Sequence, residues 1–411
     1  MADTKRRDSK GRILRNGESQ LNDKYGRYTY RYMQDGKQKT IYAKTLSELR
    51  EKELQIANDV VDGIDGQKAN NITLNDMFEK YVQGKTELKQ STRTNYLYMY
   101  KNYVADILGK KKIGKIKYSD VKGFYNSLIR EKGFKPNSME IINTILHPVF
   151  TLAVRDGYIR ANPSDGCMSE IKKSHNWEKA KRHALTVDEQ TAFIEYMANS
   201  EMYNHWLPIF TFLLGTGCRI GECIGLTWND VDFKNNTISI NHNLIYRQQD
   251  SGKCEMHITT PKTKSGCRTI PMLSEVRKVL IEERKKQMQS GIPATEIDGY
   301  TNFVFTNRFD YVHNPQTLNR AIERIYTAYN EEETERAKKE HREPKLIRHF
   351  SLHNLRHTFC TRFCENETNV KVIQEIMGHS DISTTMNIYA DVTEAKKQET
   401  FKNLDGKIKI S

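Results

Sequence analysis

No stretch of this chain approaches the roughly 18 consecutive apolar residues of a membrane-spanning helix. The opening MADTKRRDSK has no apolar core of the kind that directs secretion. Seven cysteines (Cys167, Cys218, Cys223, Cys254, Cys267, Cys360, Cys364) make an odd set without the spacing of a disulfide framework. These absences together lead to the expectation of a reduced cytoplasmic protein. A Walker-type phosphate loop is missing too, so nothing suggests ATP-driven chemistry. Acidic residues are outnumbered, 52 Asp and Glu against 65 Lys and Arg, which leaves a net charge of +13 and a pI near 9.2. Such a surplus fits a polyanionic partner, or else a solvated basic surface.

What is present fits two to three domains. The length is 411 residues, and an apolar content of 37% can fill two or three small cores. Charged residues make up 28% of the chain but are spread among apolar periodic segments, which argues against disorder.

The basic surplus is concentrated at the start. Residues 1–44 hold 12 Lys and Arg against 5 Asp and Glu. In KYGRYTYRYMQDGKQKTIYAK, Tyr28, Tyr30 and Tyr32 alternate with Arg27, Thr29 and Arg31. Period two puts the tyrosines on one face of a strand and the arginines on the other. Asp35-Gly36 is a hairpin-turn signal, and GRILRNGESQ offers a third strand. Thr45 with Glu48 fits a capping box that opens a helix. A small sheet backed by one helix is therefore expected over residues 1–66. Arg27, Arg31, Lys37 and Lys39 are its candidate DNA contacts, since a two-stranded ribbon can enter the major groove. The alternative is a basic sheet that never touches bases.

From Ile72 the pattern becomes helical, and residues 72–164 read as a bundle of four or five helices. Ser91 or Thr92 is expected to cap one of them. Lys110, Lys111 and Lys112 form a basic loop beside Tyr96, Tyr98, Tyr100 and Tyr103, which either face phosphates or pack half-buried. Residues 165–184 lack periodicity and read as a linker. Its basic residues, among them Lys172 and Lys173, would let it track a duplex as a strap.

The third domain, 185–411, opens with a capping box at Thr186 and Glu189. Helices are followed by three strand-like runs, TISIN, EMHITTPK and CRTIPM, expected to form one antiparallel sheet with TKSG as the last turn. The run 331–343 reads as a solvated charged face or loop. Over 352–363, Leu352, Leu355, Phe359 and Phe363 form an apolar stripe, while His353, Arg356 and His357 share the opposite face. Gly378 stops the next helix and leaves His379 just past its end, with Ser383 or Thr384 as the cap before Tyr389.

Taken singly, each of these residues has an ordinary structural explanation. The ordered set TGCRIGE (216–222), TPKTKSGCRTIP (260–271), HNLRHTF (353–359) and GHSDISTTMNIYADV (378–392) instead resembles the tyrosine recombinase (phage-type integrase) family. Within it, the basic first 65 residues look most like the arm-site-binding domain of conjugative-transposon integrases, and the helical region is similar to the family's core-site-binding domain. The fold implied is a multidomain α+β chain: a small N-terminal β-sheet domain, an all-α domain, and a mostly α catalytic domain with a small antiparallel sheet.

The resemblance implies a site-specific DNA recombinase that integrates and excises a mobile element. Arg219 and Arg356 would grip the scissile phosphate, with forked guanidiniums suited to bidentate contacts. Tyr389 would be the nucleophile, His353 the general base, Lys262 the general acid and His379 an orienter of non-bridging oxygens. Lys264, two residues from Lys262, is the alternative acid. Glu222 would buttress Arg219 or His353. No metal, cofactor or ATP is implied. The implied partners are double-stranded DNA at core and arm sites, three further copies of the chain in a synaptic tetramer, an excision factor and a host DNA-bending protein, in a nucleoid-associated setting. The tail after Tyr389 would dock on a neighbouring subunit, or else pack in cis. Other readings are a type IB topoisomerase, an Xer-type recombinase, a metallohydrolase using His353, His357 and a cysteine, and a catalytically silent repressor.

Overall fold

Alternation of tyrosine with arginine and threonine builds the first sheet. Strands β1 (Glu18–Gln20), β2 (Tyr28–Gln34) and β3 (Lys37–Ala43) pair antiparallel in that order, with Tyr28 opposite Ala43 and Tyr30 opposite Ile41. Tyr28 and Ala43 pack on Leu46 and Leu49 of helix α1 (Leu46–Val61), so the tyrosine face is the inner one. Arg31, half a pleat away, is exposed. Thr45 caps α1 by accepting from the Glu48 amide at 3.2 Å, and the Glu48 carboxylate returns to the Lys44 amide.

The computed structural model describes residues 6–34, 36–64, 69–88, 90–174, 183–248, 254–261, 264–291, 293–367 and 369–390. Asp35 of the hairpin turn, Lys262 and the tail after Ala390 lie outside them. The chain divides into two units, Met1–Lys179 and Ala180–Ser411.

In the first unit the helices are α2 (Leu74–Gly84), α3 (Gln90–Tyr103), α4 (Tyr118–Lys132), α5 (Pro136–Arg155) and α6 (Cys167–Ser174). Thr73 and Asp76 form a reciprocal capping box at the start of α2. Helix α5 is the central element: Met139, Ile142, Ile145, Leu146, Val149, Phe150 and Ala153 are all buried. Each such large side chain contributes about 1.5–3 kcal/mol on leaving water. Tyr100 is core rather than DNA-facing and stacks on Phe78 with centroids 3.6 Å apart.

Two expectations are corrected here. Ser91 and Thr92 lie inside α3, which begins at Gln90, so neither caps it. The stretch 167–174, expected in the linker, is helix α6, because Cys167 and Ile171 are one turn apart and both enter the helical core. Its polar face concealed that pattern.

In the second unit the helices are α7 (Val187–Asn199), α8 (Leu207–Thr216), α9 (Ile220–Ile224), α10 (Ser274–Ser290), α11 (Pro315–Lys339), α12 (Leu352–Asn366) and α13 (Val370–Met377), followed by α14 over 382–390. Ile209, Phe210, Phe212 and Leu213 bury α8 at the centre, against α10 and α12. A helix apolar on nearly every side has to be interior.

The strands differ from expectation. β5 (Thr237–Ile240) pairs with β4 (Val231–Asp232) and β8 (Arg268–Pro271), whereas β7 (Cys254–Thr259) pairs with β6 (Asn243–Gln248) in a separate ribbon. β6 was not anticipated, and β7 and β8 are not a hairpin. Period two identifies a strand but not its partner; burial of Ile238 beside Ile270, and of Leu244 beside Ile258, selects the register. The charged run after 331 continues α11 to Lys339. It is not wholly solvated: buried Glu333 accepts from Arg342 at 2.5 and 3.2 Å and from the Lys345 amide at 3.1 Å.

Candidate active site

The site is built where two chain turns meet. Helix α8 ends at Gly217, whose φ of +61° releases the chain from the helix. A Cβ there would lie 2.4 Å from Phe359 of α12, so only glycine allows that approach. The freed Gly217 carbonyl accepts from Arg356 Nη1 at 2.6 Å.

Arg219 is the N-cap of α9. Its amide and its Nη1 donate to the two Glu222 oxygens at 2.9 and 2.8 Å. Its side chain is 42% exposed, so part of the guanidinium remains open to a ligand. Helix α12 is set by a capping box between Ser351 and Asn354, which directs Leu352 and Leu355 into the core. Arg356 is buried as well, and its Nη2 donates to Met377 O at 2.5 Å.

Helix α13 ends on Gly378 in the left-handed region, φ +61°. The last carbonyls of a helix lack intrahelical partners and carry the negative end of its dipole. Here three successive ones are taken by three arginines. Arg268 Nε donates to Ile376 O at 2.7 Å, Arg356 to Met377 O, and Arg219 Nη2 to Gly378 O at 3.0 Å. His379 follows immediately. Its Nδ1 lies 2.9 Å from Thr385 Oγ1 on α14, and both residues are buried.

Arg268 escaped the sequence reading. It stands on β8 two residues before buried Ile270, so it shares the inward face of the strand. An arginine in core register demands a buried carboxylate, and that phase was the available signal. The carboxylate is Glu222, which therefore supports two arginines, Arg219 and Arg268, each donating to both of its oxygens.

The charges are strongly perturbed. Burial pushes the Glu222 carboxyl up, but the hydrogen bonds and charges of Arg268 and Arg219 outweigh it and hold the group below its ordinary range. Burial would lower Arg268, yet its bonds to Glu222 raise it. Arg356 is brought down to about 10 by burial and by the Arg219 charge, which still leaves it charged at neutral pH. Burial, then the charges of Arg356, Arg219, Arg268 and His353, bring His379 down to about 4, so its imidazole is neutral at pH 7.

His353 is exposed at the start of α12. Tyr389, on α14, is half-buried against a cluster of Cys360, Cys364, Ile373 and Met377. The helix that carries it is capped by Asp381, which accepts from the Ser383 amide at 2.9 Å, rather than by Ser383 or Thr384. Lys262 and the Lys264 side chain lie outside the described residues. The adjoining backbone runs beside the site, since a Cβ on Gly378 would lie 3.0 Å from Ser265 O. Among the described residues no group of three His, Cys, Asp or Glu is placed to hold a metal ion.

The remaining candidate contacts belong to the first unit. Arg27 pairs with Asp23 at 2.7 Å, Lys110 with Asp106 at 2.7 Å, Lys111 with Asp120 at 2.8 Å and Lys172 with Glu140 at 2.6 Å. Lys112 donates to Asn71 O at 2.5 Å. Arg31 and Lys173 are exposed, Lys39 is half-buried with a partner, and the Lys37 side chain is outside the described residues.

Residues 183–396, the stretch that holds this whole constellation, match the phage integrase family. The chain belongs to that family. It is a tyrosine recombinase, an enzyme of site-specific recombination. Residues 2–60 match the DNA-binding domain of the Tn916 integrase, and residues 73–129 match the phage integrase N-terminal SAM-like domain. The transposase from transposon Tn916 of Enterococcus faecalis is 32% identical, over 98% of this chain and 97% of that protein. The transposase from Tn1545 of Streptococcus agalactiae is also 32% identical with the same coverage. A solved structure of the Tn1549 transposon integrase in complex with a circular intermediate DNA is 29% identical, with a TM-score of 0.67, and covers 80% of this chain and 99% of that one. The helical region and the mostly helical catalytic domain accord with that fold, and the first sheet lies in the stretch that matches the Tn916 integrase DNA-binding domain.

Proposed function

We propose that this recombinase cuts and rejoins duplex DNA through a 3′-phosphotyrosine on Tyr389, and so integrates and excises a mobile element of the conjugative-transposon kind. The observation that carries this is the convergence of Arg219, Arg356 and His379 on one turn at the end of α13, with Tyr389 on the helix that follows. Two fixed cations and a neutral imidazole suit the non-bridging oxygens of a phosphodiester, where negative charge gathers in the transition state. Tyr389 Oη attacks phosphorus, the bond to the 5′-oxygen breaks, His353 takes the phenol proton, and Lys262 protonates the departing oxygen. Undiminished cleavage by Lys262→Ala would move the acid role to Lys264. The tyrosyl phosphodiester keeps the energy of the bond it replaces, so religation needs no ATP.

The partner is double-stranded DNA. The 72–164 helices would grip the core site, and the first sheet the arm site, through Arg27 and Arg31 on its open face and through Lys37 and Lys39 of β3. Lys110, Lys111, Lys112 and Lys172 would exchange their present partners for phosphates, and exposed Lys173 would join them. Paired strand exchange calls for four protomers on two sites, aided by an excision factor and a DNA-bending protein. The tail after Tyr389 would couple protomers. Support comes from the relatives, since the Tn1549 integrase is seen with circular intermediate DNA and with transposon right end DNA.

The test is incubation with a nicked suicide duplex carrying the element's end, followed by mapping of the covalent peptide. The parent chain traps DNA on Tyr389, and Tyr389→Phe binds the duplex without an adduct. An adduct that persists in Tyr389→Phe overturns the reading.

A further inference from the structure

We infer that Arg268 is a positioning residue of the strand-transfer reaction, holding Arg219 and the His379 turn in one frame through Glu222 and the end of α13. The inference rests on the site reading above, and its test separates the two. Arg268 is 6% exposed, and its guanidinium is committed on both edges to Glu222, Ile376 O and Gly266 O, so its task lies within the protein. That one planar group spans three separate pieces of chain. Nη2 and Nη1 donate to Glu222 Oε2 and Oε1 at 2.9 and 3.2 Å, Nε to Ile376 O at 2.7 Å, and Nη1 also to Gly266 O at 3.3 Å. It thus ties α9, the last turn of α13 and the 264–266 turn to β8.

Electrostatics gives this arrangement a purpose. Glu222 is buried between two guanidiniums. Were Arg219 its sole partner, the carboxylate would neutralise Arg219 and draw its fork inward. With Arg268 balancing Glu222, the Arg219 charge is left over for a ligand. Arg219 then spends only Nη1 on Glu222 and Nη2 on Gly378 O. The four groups Arg219, Glu222, Arg268 and Arg356 carry a net charge of two positives. A phosphoryl centre under attack by a phenolate approaches two negatives, so the balance suits the transition state better than the ground state. Lysine cannot replace the fork, because one ammonium cannot reach the carboxylate and both carbonyls in a plane.

The test uses the full chain and single-turnover cleavage of the nicked duplex at saturating DNA. For Arg268→Gln we expect DNA affinity within about twofold of the parent and full reaction amplitude, with a cleavage rate constant slower by about 10- to 100-fold, the usual cost of a small misplacement of a catalytic group. Arg268→Lys should recover little of that rate. A role confined to folding would instead lower the amplitude, by reducing the fraction of competent protein, with the rate constant unchanged. That result, or a parental rate constant, overturns the inference. If Arg268→Gln fails to fold, the double variant Glu222→Gln/Arg268→Met removes both buried charges together. A parental rate constant in that protein overturns the inference equally. Trapping of DNA by Tyr389→Phe would remove the site reading itself, whereas parental cleavage by the Arg268 variants would remove only this role.

Discussion

Replacing Gly378 with alanine should damage catalysis well beyond what the loss of one glycine costs. The backbone there is at φ +61°, which an L-residue adopts at a cost of about 1–2 kcal/mol. The added Cβ would also stand 2.9 Å from Arg268 Nη1 and 3.0 Å from Ser265 O. Neither neighbour is free to give. The arginine is bonded to Glu222 and Ile376 O, and the Ser265 oxygen is backbone. Gly299 supplies the control. It belongs to the same unit, has φ +82°, and a Cβ there would meet nothing within 4 Å. Gly299→Ala therefore reports the backbone cost alone, about 1–2 kcal/mol. Gly378→Ala should lose about 1–3 kcal/mol more, the usual cost of overpacking. Chemical denaturation followed through the second unit's unfolding measures both. Cleavage of the nicked duplex is the second readout, and only Gly378→Ala should slow it, because the same turn presents carbonyls to Arg356 and Arg219. Equal destabilisation and equal cleavage by the two variants would refute the idea that this turn holds the site's arginines in place.

Glu222→Gln leaves Arg268 buried beside an amide with one acceptor in place of two charged oxygens, so the chain should lose about 3–5 kcal/mol, typical of a broken buried pair; a loss under about 1 kcal/mol by denaturation would contradict the charge balance described above. The folded pKa of His379, near 4, lies below its ordinary 6.5. Its contribution to stability is therefore complete above pH 6.5 and is lost as pH falls from 6.5 towards 4, because the unfolded chain binds the proton first. His379→Gln should reduce the slope of stability against pH in that window by up to about 1.4 kcal/mol per pH unit, one proton's worth; an unchanged slope would show that the imidazole is not held neutral. Affinity for duplex DNA should fall steeply with salt as phosphate contacts release counterions, and titrations at several salt concentrations that give a flat line would remove phosphate contact as the source of binding.

Much of the arrangement is local and could be read from sequence. The stripe in α12, the helix caps at Thr45 and Thr186, the glycine stop at 378 and the alternation of Tyr28, Tyr30 and Tyr32 all depend on residues within a few positions of one another. Periodicity and capping report such features directly. The motif set identified the family because its order and residue types are unusual together. Strand pairing was not legible: β5 joins β8 across the whole β6–β7 ribbon, and nothing in either strand's alternation names its partner. Helix α6 was hidden because its core contacts, buried Cys167 and Ile171 with half-buried Met168, sit among polar residues over two short turns.

Most helical and strand segments, the basic character and the residue types of the site are legible in the order of the amino acids alone. Folding in three dimensions is what makes Glu222 serve Arg219 and Arg268 at once, and what brings the carbonyls of Ile376, Met377 and Gly378 each to a different arginine. Those contacts join residues more than a hundred positions apart in the case of Arg268 and Ile376. Hydrogen bonds of this kind depend on where helix ends arrive in space, and a one-dimensional pattern carries no record of that.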